Sequence, residues 1–342
     1  MYVVMLSETY SSIASKIYEL RKISKKELFL TFLTVFEGRD QFIEESIMSI
    51  DKIAQEIGEP YEIAIINTSM FPIHPDSLAG VRDSIENFRV FERPGMSRGL
   101  AKNLAFLELR GSHIIMFDSE KEYEIDYSDL IFSYLRFREK RVLISEFSII
   151  PREMIEEAGA WRNLKVSEDI DLFARISING PISHYPTQIM EPRRDGLIFH
   201  NLDLEKRPGF KRLSLKKKIS LIRDLIIGCN YSFKDILTLN GYPFHKIGKR
   251  RFFLLLASHI SAKLSREKKE SYRRNNYLVF METMFESLVL GEYKKFETFG
   301  KDVRISITSM EKSYLFRKSD LWKKVNRSLR QFIVENDYEP FQ

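Results

Sequence analysis

Gly95 to Glu120 reads GMSRGLAKNLAFLELRGSHIIMFDSE. Its periodicity predicts a helix over 98–110, then Gly111, then a buried strand from His113 to Phe117 that runs into Asp118-Ser119-Glu120. Two carboxylates two residues apart, in a loop leaving a strand, can both face one divalent ion. Their hard oxygens suit Mg or Mn, and a diphosphate can complete the octahedron. A plain polar turn after a buried strand explains the same residues, so the acidic pair needs support from the rest of the chain.

Moving outward, strand and helix signals alternate. Leu28 to Val35 is a near-continuous apolar and β-branched run, the mark of a strand buried on both faces. Gly38 breaks it, and residues 40–57 return to helical spacing until Gly58 and Pro60. Tyr61 to Ile66 reads as a second buried strand with the polar exit Asn67-Thr68-Ser69, and Phe88 to Phe91 as a short third. Further on, 126–139, 151–158 and 168–178 read as helices, and Val142 to Ser145 as extended chain. Strands alternating with helices of this length predict an α/β fold, a mainly parallel sheet flanked by helices. Ligands of such sheets bind beyond the carboxyl ends of the strands. That points to Thr34–Arg39, Asn67–Ser69 and Asp118–Glu122.

Two further segments carry candidate chemistry. In Ser167-Glu168-Asp169-Ile170-Asp171-Leu172, Ser167 can cap a helix whose first-turn acids complement its dipole. One of those carboxylates can instead face a cleft and take a proton from a hydroxyl. In Pro94 to Asn103, Gly95 and Gly99 allow close backbone approach, while Arg98 and Lys102 put positive charge near a helix start, where phosphate binds. The spacing fits neither a Walker loop nor the dinucleotide glycine fingerprint.

Taken together, these pieces resemble the family 2 glycosyltransferases of the GT-A (Rossmann-like) fold over roughly residues 27–200. Four segments follow the family's order: Leu28–Arg39, Glu62–Ser69, Gly95–Glu120, and Ile149–Leu172 (IIPREMIEEAGAWRNLKVSEDIDL), the last looking like the acceptor-side helix with its Glu-Asp motif. The resemblance implies that Asp118 and Glu120 match the ends of the family's Asp-x-Asp motif and hold Mg or Mn, with Glu in place of the second Asp. It implies Asp169 as catalytic base, with Glu168 beside it. Thr34, Phe36, Glu37, Asn67, Arg98, Asn103, Asp118, Ser119 and Glu168 are the implied nucleotide-sugar-binding positions, and His200 a metal ligand. The family's second strand usually ends in acids that contact the base. Here the exit is Asn67-Thr68-Ser69, whose Asn67 can still hydrogen-bond a uracil or guanine edge. Arg193-Arg194 can hold diphosphate or be a solvated pair, and His184 is read as structural.

The chain has 342 residues, 44% apolar and 30% charged, with net charge +6. Mean hydropathy is −0.26. That length accommodates more than one domain. The expected division is an N-terminal helical extension over 1–26, a GT-A glycosyltransferase domain over 27–205 and a basic α-helical C-terminal region over 206–342. Residues 205–274 carry 19 Lys and Arg against 5 Asp and Glu. This charge, on expected helices 214–227 and 251–265, attracts anionic partners such as phospholipid head groups. Ordinary core packing with solvated Lys and Arg accounts for it equally well. Helices are also expected over 275–290 and 319–335. No nucleic-acid recognition motif accompanies the charge, so nucleic acid is not an expected partner.

The single cysteine, Cys229, excludes an internal disulfide and a thiol metal cluster, and its apolar surroundings predict a buried thiol. No apolar span reaches transmembrane length, and MYVVMLSETY lacks the features of a signal peptide. The expected location is therefore the cytoplasm, with peripheral binding to the cytosolic membrane face as an extension. The expected activity is transfer of a sugar from a nucleotide sugar to a glycan, lipid-linked or protein acceptor, inverting and metal-dependent. A degenerate GT-A domain that binds or scaffolds without catalysis is the alternative. A nucleotidyltransferase is a third reading, disfavoured by the missing glycine-rich phosphate loop.

Overall fold

In the computed structural model, the described residues are 30–38, 42–136, 140–145, 147–164, 168–178 and 180–185. Towards the C-terminus they are 214–229, 232, 233, 248–264, 280, 283, 286, 287, 290 and 323. The N-terminal helical extension expected over 1–26 and the helix expected over 319–335, together with Ser167, Arg193, Arg194 and His200, lie outside them apart from residue 323, as does the side chain of Cys229.

The apolar runs form the strands they predict. They are β1 (Leu30–Phe36), β2 (Tyr61–Asn67), β3 (Phe88–Glu92), β4 (His113–Met116) and β5 (Val142–Ile144), joined by β6 (Ser148–Pro151) and β7 (Ile182–His184). The helices are α1 (Ile43–Ile57), α2 (Ala79–Ser84), α3 (Arg98–Glu108), α4 (Tyr127–Arg136), α5 (Arg152–Glu157), α6 (Glu168–Ile176), α7 (Leu215–Cys229) and α8 (Lys249–Leu264). One seven-stranded sheet results, in the order β3-β2-β1-β4-β6-β5-β7. β6 alone opposes its neighbours, pairing antiparallel with both β4 and β5. This is a mainly parallel α/β sheet flanked by helices, as expected.

β6, β7 and α2 were not legible in the sequence. β6 and β7 are four and three residues long and hold no more than two consecutive apolar residues, whereas the equally short β4 and β5 hold three. The reversal of β6 follows from its connection. Ser145 N–H donates to the Phe147 carbonyl at 2.8 Å, closing a turn of a few residues, whereas a parallel crossover needs a dozen or more. Ile149–Leu172 runs from β6 through the short helix α5 and Gly159 to α6, which carries Glu168 and Asp169.

Alternation along β1 explains why the run is apolar throughout. Leu33 and Val35 face a cluster with Ala101, Ala105 and Phe106 of α3 and Leu172 of α6. Leu30, Phe32 and Phe36 face the other, with Ile43, Ile47 and Ile50 of α1 and Leu130 of α4. Ile222 and Ile226 of α7 and Leu255 of α8 belong to the first cluster, so these C-terminal helices share the sheet's core. Gly111 sits so close to Thr31 that a Cβ there would lie 2.6 Å from the Thr31 nitrogen. That contact seats β4 against β1.

Candidate functional site

The sheet's carboxyl ends carry two groups of side chains. The first is built by the start of α3 meeting the start of α6. Ser97 caps α3, its hydroxyl accepting from Leu100 N–H at 3.3 Å. Gly99 N–H donates to the Leu164 carbonyl at 3.2 Å. A Cβ on Gly99 would overlap the Arg162 carbonyl oxygen and lie 3.0 Å from its carbon, so glycine is what lets helix and loop touch. Asn103 locks the same loop: its side-chain carbonyl accepts from Trp161 N–H at 2.8 Å, and its amide donates to the Trp161 carbonyl.

This docking turns Arg98 and Lys102 toward the acids of α6. Arg98 Nε donates to Glu168 Oε1 at 2.7 Å, and its Nη1 lies 3.3 Å from Glu37 at the exit of β1. The Lys102 ammonium, 3% exposed, donates to Glu168 Oε1 at 3.0 Å and to both Asp169 oxygens at 2.6 Å. Trp161 Nε1–H donates to Asp169 Oδ1 at 2.8 Å. Burial by itself would lower the pKa of Arg98, but the charges of Glu168, Glu37 and Asp169 outweigh it and raise the guanidinium above its ordinary value. The Arg98 and Lys102 charges are thus already matched by protein carboxylates.

Three acids of α6 have three different fates. Asp171 is fully buried between Arg162 at 3.3 Å and Arg175 at 2.9 Å, and Arg175 also donates to the carbonyls of Ala158 and Ala160. Its role is to hold the α5–α6 loop. Glu168 is buried against Arg98 and Lys102. Asp169, with 29% of its side chain exposed, is the one of the three that reaches solvent.

The second group lies at the exit of β4, the strand next to β1. Asp118 and Glu120 are exposed, and Ser119 between them is buried. Asp118 Oδ1 accepts from Glu120 N–H at 3.0 Å, its carbonyl accepts from the Ser46 hydroxyl at 3.1 Å, and its own N–H donates to the Tyr123 oxygen at 2.9 Å. Both carboxylates therefore sit on one pinned turn. Among the described residues no three His, Cys, Asp or Glu gather as a metal site.

No protein-family model matches the chain, and no curated protein matches it either. Among solved structures, a mannosyltransferase from Pyrobaculum calidifontis in complex with GDP-Man and Mn2+ is similar at TM-score 0.43 and 10% identity, over 97% of this chain and 93% of that one. S. aureus TarS 1-349 in complex with UDP is similar at 0.41 and 12%, over 82% and 97%. The bifunctional IspDF from Campylobacter jejuni is similar at 0.33 and 10%, over 46% and 50%. Likeness this loose assigns no activity.

The remaining sequence candidates divide. Thr34 and Phe36 are buried in β1, Phe36 at 2% exposure within the apolar cluster; its carbonyl accepts from Thr68 N–H at 3.0 Å. Asn67 is fully buried, and its amide is committed to its own loop. Nδ2 donates to the Phe71 carbonyl at 2.9 Å and to Glu92 at 2.7 Å, and Oδ1 accepts from Ser69 N–H at 3.0 Å. His184 is buried at the end of β7. The sequence reading missed Trp161 and the pairing of Lys102 with Asp169. The first carried no local signal; the second was hidden by 67 residues of separation.

Proposed function

We propose that this chain transfers a sugar from a nucleotide-sugar donor to an acceptor hydroxyl as an inverting, metal-dependent glycosyltransferase. The supporting observation is the Asp169 cluster: a part-exposed carboxylate beyond the strands' carboxyl ends, oriented by Trp161 and Lys102. In the proposed reaction Asp169 removes the acceptor hydroxyl proton while the acceptor oxygen bonds to the anomeric carbon. The bond from that carbon to the diphosphate breaks, and its electron pair leaves with the nucleoside diphosphate.

For this, Lys102 must release at least one Asp169 oxygen. Its flexible stem permits that, and the donor's diphosphate is an anion able to draw the ammonium away. The exposed oxygens of Asp118 and Glu120, on one rigid turn, fit Mg or Mn chemistry. A metal held there would neutralise charge on the departing diphosphate.

The same three donors on Asp169 favour a second reading, a domain that binds nucleotide sugar without turnover. Purified full-length protein with Mn and a panel of nucleotide sugars separates the two. The transferase releases nucleoside diphosphate, and Asp169→Asn lowers that rate by about 10²–10⁴ with donor affinity retained. Donor binding without turnover, or turnover that ignores Asp169→Asn, rejects the catalytic reading.

We also propose that residues 27–205 form the catalytic unit and that α8 contacts an anionic membrane surface. No helix among the described residues is long and apolar enough to cross a membrane. Phe253 at 64% and Leu264 at 78% exposure lie on α8 with Lys249 and Arg250, a pairing of apolar and basic groups suited to the interface.

A further inference from the structure

A cavity of about 460 Å³ opens at the amino edge of the sheet, where α1 ends, β2 begins and the chain turns into β3. Its size falls within the roughly 300–1,000 Å³ of small-molecule sites. The length of a strand separates it from the carboxyl edge that carries Asp118 and Asp169, so the proposed transfer makes no use of it. Its walls are fixed. The Pro60 carbonyl accepts from Leu30 N–H at 2.9 Å and the Asn87 carbonyl from Ile63 N–H at 3.1 Å, which ties both turns to the sheet.

Asp51 supports that wall. It is buried at 3% exposure and has no part in the proposed transfer. One of its oxygens accepts from the Tyr61 hydroxyl at 2.5 Å, and the other from the Gln55 amide at 2.7 Å. Tyr61 and Gln55 both line the cavity, one from β2 and one from α1. A buried carboxylate therefore sets two lining side chains in position before any ligand arrives, which lowers the ordering cost of binding.

The lining chemistry selects the ligand class. Carboxylates at Glu59 and Glu86 only accept hydrogen bonds, while the Asn87 amide both donates and accepts. No lysine or arginine is among the described lining residues, so a phosphate or other anion meets repulsion there. Tyr61 and Ile85 add apolar surface. An ammonium would answer the carboxylates, but it has no acceptor for the amide N–H of Asn87. Hydroxyls serve both, since each donates and accepts. The matching ligand is uncharged, rich in hydroxyls and apolar on one C–H face, which is the description of a sugar ring. We propose that this cavity binds one neutral sugar unit and holds a glycan at a place separate from the site of transfer.

The test is a saturation-transfer NMR titration of the full chain with the methyl glycosides of glucose, galactose, mannose and N-acetylglucosamine, and with spermidine as a cationic comparator. It is run on wild type, Glu86→Ala, Asn87→Ala and Asp169→Asn, at low and high salt. Glu86 and Asn87 are exposed, so both cavity variants should fold, and urea midpoints equal to wild type check this. At least one glycoside should bind, with an affinity that salt leaves unchanged. Each cavity variant should weaken it about tenfold, and Asp169→Asn should bind it as wild type does. A wild type that binds none of the glycosides overturns the inference. So does glycoside binding that keeps its strength in both cavity variants, or that is lost in Asp169→Asn, which puts the sugar at the transfer site instead. Spermidine bound in place of the sugars, salt-sensitive and lost in Glu86→Ala, overturns it too and makes the cavity an amine site. None of these outcomes bears on the transferase reading, which donor turnover tests.

Discussion

Gly99→Ala sets two physical effects against each other. Gly99 lies in the first turn of α3 and has no positive φ, so helix propensity alone predicts that alanine stabilises by up to about 1 kcal/mol. The contact predicts the reverse. The added Cβ would overlap the Arg162 carbonyl oxygen, with the Arg162 carbon at 3.0 Å and Leu164 N at 3.1 Å. All three atoms are backbone, so no rotamer change relieves the clash, and helix and loop must separate by roughly an ångström to regain an ordinary C···O distance of about 3.3 Å.

Overpacking of that kind costs about 1–3 kcal/mol, so after the propensity gain a net loss of about 1–2 kcal/mol is expected, lowering Tm by about 2–8 °C. The displaced loop carries Trp161, whose Nε1–H orients Asp169. A shift of this size is expected to lower donor turnover by about 10²-fold. The assay is urea unfolding alongside nucleotide-sugar hydrolysis, with Gly58→Ala as control. Gly58 has φ 74 but nothing within 4 Å of its Cβ position. That variant should lose about 1 kcal/mol through backbone strain and no activity. A Gly99→Ala protein as stable and active as wild type refutes the proposed docking of α3 on the 161–164 loop.

Burial pushes His184 down to about 4, and His113, despite the opposing charge of Glu153, also to about 4. Unfolded, each titrates near about 6.5. The unfolded chain therefore binds more protons between those values. Stability is full above roughly pH 6.5 and falls as pH drops toward 4, by up to about 3 kcal/mol for buried His184. Urea midpoints at pH 7.5, 6 and 4.5 check this, and a flat profile contradicts it. For the membrane surface, flotation with anionic vesicles at low salt should carry the protein upward, and Phe253→Ser with Leu264→Ser should reduce that. Protein that stays in the soluble fraction ends the idea.

Much of the fold was legible because strand burial on both faces leaves a local mark. Leu30–Phe36 is apolar at nearly every position since alternate side chains enter two different clusters. The exits of those strands were legible for the same reason, and with them Asp118, Glu120, Asn67 and Glu37. β6 and β7 left no such mark, because polar residues and Pro151 interrupt their apolar runs.

What each candidate side chain does was decided only in three dimensions. Glu168, Asp169 and Asp171 are interchangeable as helix-start acids, yet one pairs with Arg98, one meets Lys102 and Trp161, and one is buried between two arginines. Asn67 stands where an acid was expected, and the acid nearest it comes from β3. By itself the sequence determined β1 to β5, most of the helices between them and the loops at the sheet's carboxyl edge, because burial period is a property of neighbouring residues. Only tertiary structure decided which charges oppose each other. A carboxylate's partner is set by distance in space, and backbone contact at Gly99 brings Lys102 on α3 to the 161–164 loop whose Trp161 also meets Asp169.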